Sequence, residues 1–232
     1  MSAAQLPLLF LHRPAMGRED FLVAASNSEA VSWLDAWPDW PAPVLVLHGP
    51  PGCGKTHLMQ VWRARSRARA LALDGLGRVD LSALRPADPE TGAPAAAFAL
   101  DRGELVAGDA EAETALFHLY NALRAAGGTL LIAARRPPSQ WPLALPDLRS
   151  RLLAAPAAAV EAPDDGLLAA VLVKLFNDRQ LRPGAEVVEF LLRHMERSFD
   201  AARRLVAAID AAALAERRPV TVPLARAVLA AG

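Results

Sequence analysis

The 232-residue chain lacks an excess of charge of either sign: 25 Lys and Arg stand against 25 Asp and Glu. A domain that grips nucleic acid mainly through backbone phosphates carries a basic excess. Sequence-independent DNA binding is therefore disfavoured, a local patch apart. Cysteine is almost absent. Cys53 is alone, so no internal disulfide can form, and reducing cytoplasm is the expected compartment. Apolar runs are short of the roughly 20 residues a membrane helix needs. The opening residues, MSAAQLPLLFLHRP, lack the basic start of a secretory signal. Lysine occurs only at Lys55 and Lys174, the other basic residues being arginine; this Arg and Ala bias carries no functional weight. Aromatics are 6% of the chain, but hydrophobic residues are 53%, which excludes a disordered composition. The length suits one α/β domain with an appendage, or two small domains, and is enough for a real core.

The pattern along the chain changes once. After an apolar, Pro-containing leader over 1–18, Ser26 and Glu29 form a capping-box pattern. Ala30, Trp33, Leu34 and Trp37 follow at helical spacing, and Pro38, Pro41 and Pro43 end that helix. VLVLH (44–48) reads as a strand buried on both faces, followed by a Gly-rich turn and a helix over 55–65. Further strands are expected at 71–73, 95–100, 129–134 and 157–160. A helix is expected over 111–124, with Ala112, Ala115, Leu116, Leu119 and Leu123 along one face. The stretch 84–95 reads as a surface loop. From 164 onward only helical patterns occur, roughly 164–178, 184–195, 199–215 and 221–230. Strands alternating with helices, then helices alone, predict a parallel-sheet domain over 19–163 and a small helical domain over 164–232.

The strongest motif is GPPGCGKT (49–56), which fits the phosphate-loop pattern GxxxxGK[ST] with an apolar strand before it and a helix after it. Gly49, Gly52 and Gly54 let the backbone curl so that its N–H groups face phosphate oxygens. The helix start adds its positive end. Lys55 is placed to reach the β and γ phosphates, and Thr56 to ligate Mg²⁺. Cys53 sits at a variable loop position and reads as a small filler.

AAFALD (96–101) is an apolar strand ending in an acid, so Asp101 is a candidate Mg²⁺-side group, with a solvated strand-end acid as its plain alternative. ATPases of this type usually place a second acid next, to orient the attacking water. Here Arg102 follows, and Glu104 is out of step, which weakens the case for fast hydrolysis. LPDLRSRL (145–152) carries Arg149 and Arg151, which point to different faces of a helix or turn. Either a surface pair or an arginine reaching a neighbouring subunit's phosphates fits that spacing. In SFDAARRLVAAID (198–210), Arg203 flanks an apolar face made by Phe199, Ala202, Leu205, Val206 and Ile209. His12, His48, His57, His118 and His194 show no metal-ligand spacing with one another or with Cys53. No Ser/His/Asp nucleophile pattern stands out.

In order and spacing, QLPLLF, HRPAMGREDFLVAASN, GPPGCGKTHL, ALFHLYN, RRPPSQWP, PDLRSRL and SFDAARRL resemble the AAA+ proteins of the replication-initiator DnaA group. The resemblance is to the Hda-type regulators, in the form seen in alphaproteobacteria, and runs over nearly the whole chain. It implies an AAA+ P-loop domain, with a parallel sheet flanked by helices, and a C-terminal helical lid. It further implies ADP or ATP as cofactor with Mg²⁺. Phe21, Val23 and Asn27 would lie near the adenine, and Gly49, Pro51, Gly52, Cys53, Gly54, Lys55, Thr56 and His57 around the phosphates. Thr56 and Asp101 would serve Mg²⁺, Arg151 would be the arginine finger, and Arg203 the second-sensor arginine. Two departures bear on hydrolysis: Arg102 replaces a second acid, and Ala133, Ala134 and Arg135 stand where a first polar sensor is expected.

The leader QLPLLF (5–10) resembles the peptide by which many proteins dock on the replicative sliding clamp, the DNA polymerase III β subunit. Gln5, Leu6 and Leu8 would be anchors, with Leu9 or Phe10 in the final apolar slot. Packing of the leader on its own domain is the plain alternative. The initiator's C-terminal DNA-binding domain has no counterpart before the chain stops at Gly232, so no sequence-specific DNA binding is expected.

The resemblance implies a nucleotide-bound protein that docks on DNA-loaded clamp and promotes hydrolysis of DnaA-bound ATP, restraining re-initiation. Other readings are a stand-alone AAA+ ATPase such as a helicase loader, a DnaA-like protein of divergent role, a small-molecule P-loop kinase, and a clamp-bound tether without arginine chemistry. Monomer and homodimer are both open, and no membrane association is expected.

Overall fold

Five short strands with their apolar residues turned to both faces form one all-parallel sheet in this computed structural model, which describes residues 23–88 and 95–231. They are β1 (Val44–His48), β2 (Arg69–Leu71), β3 (Ala97–Leu100), β4 (Thr129–Ala134) and β5 (Ala157–Ala159), in the spatial order β2-β3-β4-β1-β5. β1 and β4 lie side by side, Val44 opposite Leu130 and His48 opposite Ala134. Both are buried along nearly their whole length. An unbroken apolar run is what a parallel strand covered on two faces requires. With crossovers between them, all five carboxyl ends point the same way, and the turns that follow β1, β3 and β4 meet along one edge. In open α/β sheets that edge is where ligands bind.

Residues 27–161 form one compact unit around the sheet. Its helices are α1 (Ser28–Asp35), α2 (Lys55–Ser66), α3 (Ala110–Ala126) and α4 (Pro146–Ala154). The core joins Val44, Val46, Phe98, Leu100, Leu130 and Ile132 of the sheet to Leu116, Leu119 and Leu123 of α3 and to Leu148 and Leu152 of α4. Each fully buried leucine contributes about 1.5–3 kcal/mol relative to exposure. On the other side, the ring of Trp62 in α2 stacks on Trp40 at 5.5 Å and meets Trp37 edge-on at 6.1 Å. The indoles of Trp37 and Trp40 donate to Thr129 Oγ1 (3.0 Å) and the Trp33 carbonyl (2.7 Å). This wedge fixes the back of α2, and with it the loop that α2 begins.

Residues 162–231 group into a second unit together with 23–26. It consists of α5 (Asp165–Asp178), α6 (Ala185–His194), α7 (Phe199–Glu216) and α8 (Val222–Ala231), with a core of Leu168, Leu172, Phe176, Val187, Leu191, Leu205, Val206 and Ile209. Local chemistry starts these helices where the pattern expects. Asp164 accepts from Leu167 N (2.8 Å), and Ser198 from Ala201 N (3.1 Å), both N-caps.

Three local expectations shift. The first helix is capped at Asn27, which makes no side-chain cap bond, rather than at Ser26, and it ends at Asp35, before Trp37. Trp37 instead turns its indole to Thr129, so tertiary packing overrides the helical spacing. The strand expected at 71–73 pairs at Arg69–Leu71, where Ala70 lies opposite Ala99, and Leu73–Arg78 winds into a 3₁₀ helix. Residues 84–87 have no regular structure, as a loop requires; part of the expected loop lies outside the described residues. Among the described residues no helix is long and apolar enough to cross a membrane.

Candidate functional site

The phosphate-loop pattern forms the structure its residues demand. β1 ends at His48, the loop turns through Gly49, and α2 starts at Lys55 behind an N-cap Gly54 held at φ 103°. That left-handed conformation favours glycine. A side chain at Gly49 would run into the Val160 carbonyl, so the loop passes tightly under the strand-end of β5. Among the described residues, the N–H groups of Gly52, Cys53, Gly54 and Lys55 donate to no backbone carbonyl. Buried or half-buried donors left in this way call for an acceptor. No acidic residue stands in the first turn of α2. Together these features make a concave donor surface suited to an anion.

Lys55 is only 9% exposed. Its Nζ donates to the carbonyls of Gly49 (2.8 Å) and Pro50 (2.7 Å) and reaches Cys53 Sγ at 3.4 Å. The ammonium is thus folded onto its own loop, in the concavity the loop encloses. Cys53 is buried as a small packing residue. Pro51 and Thr56 are exposed, and His57 is half-buried. Thr56 Oγ1 donates to Asp101 Oδ2 at 3.1 Å, across 45 residues of sequence, so the hydroxyl and carboxylate expected to serve one metal ion are adjacent. No cluster of three or more His, Cys, Asp or Glu exists among the described residues. An ion here would take Thr56 and Asp101 plus oxygens of the ligand, the pattern Mg²⁺ prefers.

Asp101 is held from behind: its Oδ1 accepts from Arg102 N at 2.8 Å. Arg102 itself adopts φ 54° and leads into a 3₁₀ turn, Gly103–Val106. Glu104 lies in that turn with one carboxylate oxygen buried and unpartnered among the described residues. It does not occupy the position after Asp101. At the end of β4, Ala133 and Ala134 are buried and Arg135 is exposed, so the stretch where a first sensor is expected offers no buried polar side chain. His48, at the mouth of the loop, has its pKa lowered by burial; Glu29 pulls it up and Lys55 pushes it down. It is neutral at pH 7.

The arginines divide. Arg149 of α4 is exposed. Arg151, one turn-face away, is half-buried, with its guanidinium 5.2 Å from the Phe117 ring centre and 5.3 Å from that of Tyr120, both on α3. In the helical unit, Arg203 is exposed and pairs with Asp200 at 3.2 Å within α7. Val23 is half-buried and grouped with the helical unit, while Asn27 is buried at the start of α1. Phe21 and the leader residues Gln5, Leu6, Leu8, Leu9 and Phe10 lie outside the described residues.

Sequence reasoning missed Glu113. It is 1% exposed on the inner face of α3. Its carboxylate accepts from Gly108 N (2.9 Å), from Ala144 N (3.1 and 3.0 Å, one to each oxygen) and from Leu145 N (2.7 Å). Burial pushes its pKa up, but these backbone N–H bonds outweigh that and hold it below the ordinary carboxylate value. The available signal was spacing: Glu113 falls three residues before Leu116 and seven before Tyr120, on the apolar face.

Residues 165–229 match the family model described as the Hda lid domain. Among solved structures, domain III of the Thermotoga maritima replication initiation protein DnaA superposes with a TM-score of 0.73 at 19% identity, over 91% of this chain and 94% of that one. AMPPCP-bound DnaA from Aquifex aeolicus gives 0.66 at 18% identity, over 86% and 66%. The Thermotoga maritima RuvB Holliday junction branch migration motor gives 0.61 at 14%, over 82% and 61%. At these identities the likeness to solved structures establishes the fold alone: a parallel-sheet unit with a phosphate loop, followed by a helical unit. Residues 165–229 thus match the Hda lid model, and they follow a phosphate-loop unit whose fold is similar to that of DnaA domain III.

Proposed function

We propose that this protein binds ADP or ATP with Mg²⁺ and acts on DnaA-bound ATP in trans, from the DNA-loaded sliding clamp, to restrain re-initiation of replication. The observation that carries the reading is an Hda lid joined to an intact phosphate loop whose own hydrolytic acid is replaced by Arg102. Nucleotide bound by the Aquifex relative, AMPPCP, supports an adenine nucleotide here.

Gly52, Cys53, Gly54 and Lys55 would present N–H donors to the phosphates. Lys55 Nζ would exchange its loop carbonyls for phosphate oxygens, a stronger charge-assisted contact. Thr56 and Asp101 would hold the Mg²⁺, which supplies charge neutralisation at the phosphates. Phe21, Val23 and Asn27 would border the adenine, with Pro51 and His57 at the rim, and Arg203 would leave Asp200 to read the nucleotide from the lid. Arg102 after Asp101, and Ala133, Ala134 and Arg135 at the end of β4, stand in place of the groups expected to orient an attacking water. Bound nucleotide would therefore be held rather than turned over.

Arg151 is the arginine offered to the partner's ATP, where a guanidinium stabilises charge on the transferring phosphoryl group. Gln5, Leu6, Leu8 and Leu9 or Phe10 would seat the leader on the clamp. The adjacency of Thr56 and Asp101 also suits a self-sufficient ATPase, such as a helicase loader; appreciable turnover by the isolated chain would favour that reading.

The test follows ATP bound to DnaA with DNA-loaded clamp present, comparing wild type, Arg151→Ala and a Gln5/Leu8/Phe10 triple-alanine variant. Stimulation by wild type that is lost in both variants supports the reading. No stimulation by wild type, or full stimulation by Arg151→Ala, overturns it.

A further inference from the structure

We infer that one face of α3, formed by Glu113, Phe117 and Tyr120, is the seat that sets Arg151 for its use in trans; this rests on the proposed function above.

α4 has little of its own to fix its direction. The helix has nine residues, and its N-cap Leu145 makes no side-chain cap bond. A helix this short does not hold its own direction; tertiary contacts must set it. Two of those contacts come from the same neighbour. At the entry, the Glu113 carboxylate takes the N–H groups of both Ala144 and Leu145, the two residues before Pro146. At the exit, Phe117 and Tyr120 lie under the guanidinium of Arg151. Residues 113, 117 and 120 are spaced i, i+4 and i+7, so they share one stripe of α3. A single rigid helix therefore fixes both ends of the helix that carries the arginine. Leu148 and Leu152, both buried, keep α4 from rolling.

The chemistry of the contact suits a residue that must be held yet stay reactive. Aromatic rings engage the face of a guanidinium, whereas phosphate oxygens are bound by its in-plane N–H edge. A carboxylate partner would occupy that edge. Among the described residues, Arg151 makes no ion pair and donates no side-chain hydrogen bond. The two rings hold it without an ion pair or side-chain hydrogen bond that would occupy its donors. Arg149, exposed on a different face of α4, has no such seat. Glu113, Phe117 and Tyr120 are positioning residues: they act through Arg151 and are not placed against the nucleotide.

The test pairs Phe117→Leu with Tyr120→Leu, which keeps apolar bulk and removes both rings. The rate of hydrolysis of DnaA-bound ATP at saturating protein should fall about tenfold, in line with two cation–π contacts. The concentration giving half-maximal rate should stay within about twofold, because docking is untouched. Phe117→Tyr and Tyr120→Phe, which keep the rings, should restore the rate to within about twofold of wild type. A readout independent of the partner is the Arg151 Nε–Hε resonance, identified by its loss in Arg151→Lys. Ring currents should displace it in wild type, and the Leu pair should return it to the position of an exposed arginine. If Arg151→Ala abolishes stimulation but the Leu pair keeps the full rate, the seat is overturned while the function stands. If Arg151→Ala is fully active, the role of Arg151 falls, and the seat's role with it. An undisplaced Arg151 resonance in wild type would overturn the seat by itself.

Discussion

Two buried charges organise the sheet unit, and they are built in opposite ways. Lys55 is a cation satisfied by carbonyls five and six residues away in its own loop. Glu113 is an anion satisfied in part by N–H groups 31 and 32 residues away. The local arrangement can open without disturbing the fold, because only a loop lets go. The distant one ties two helices together, and releasing it leaves buried donors unpaired. The first is built to be exchanged for a ligand; the second is built to stay.

The largest effect expected from this contrast is on stability. Glu113→Ala strands the N–H groups of Gly108, Ala144 and Leu145 and should cost on the order of 3 kcal/mol or more. All five tryptophans, Trp33, Trp37, Trp40, Trp62 and Trp141, lie in the sheet unit. Intrinsic fluorescence in a urea titration therefore reports this unit alone. Lys55→Ala should leave that transition close to wild type. It should instead weaken ADP–Mg²⁺ binding by about 3 kcal/mol, roughly a hundredfold, in calorimetric titration. A Lys55→Ala protein that unfolds as early as Glu113→Ala would break the contrast.

A smaller effect separates the two through pH. The folded pKa of Glu113 lies below its ordinary value of 4.5. Its stabilisation is therefore complete above that value and is lost as pH falls through the depressed one. Glu113→Gln, compared with wild type by urea midpoints from pH 6 down to 3, should give a shallower loss on the acid side. An unchanged slope would remove Glu113 from the account. His48 contributes a gentler trend at higher pH. Its folded pKa is lowered by burial, so the unfolded chain takes up a proton the fold refuses, and stability declines as pH drops below 6.5. His48→Gln should flatten that part of the curve.

The smallest expected effect is in the lid. The Arg203–Asp200 pair is exposed and spaced i, i+3, so Arg203→Ala should change stability by less than about 0.5 kcal/mol. If the lid arginine reads nucleotide, the same variant should still weaken ADP binding. A variant neutral in both measurements would confine Arg203 to the surface.

The contrast also explains what was legible in the sequence. The phosphate loop could be read because every group it needs lies within eight residues, bounded by a strand and a helix whose periods are clear. The parallel sheet and the lid helices followed from alternation and spacing, although the spatial order of the strands did not, and Asp164 and Ser198 cap where side-chain chemistry says they should. Ser26 was a false cap because Asn27 starts the helix, and Trp37 left the helical period because Thr129 offers its indole an acceptor. By spacing alone Arg151 and Arg149 are equivalent, and only the resemblance favours Arg151. Only the approach of α3 gives one of them two aromatic rings. Glu113 was hidden for the same reason, since its partners belong to a segment that folding brings in from 31 residues away.

The most direct test is a single-turnover measurement of DnaA-bound ATP on DNA-loaded clamp, with Arg149→Ala and Arg151→Ala side by side. The account predicts that Arg149→Ala stimulates hydrolysis like wild type and that Arg151→Ala does not stimulate it. Loss in Arg149→Ala with full activity in Arg151→Ala would contradict it.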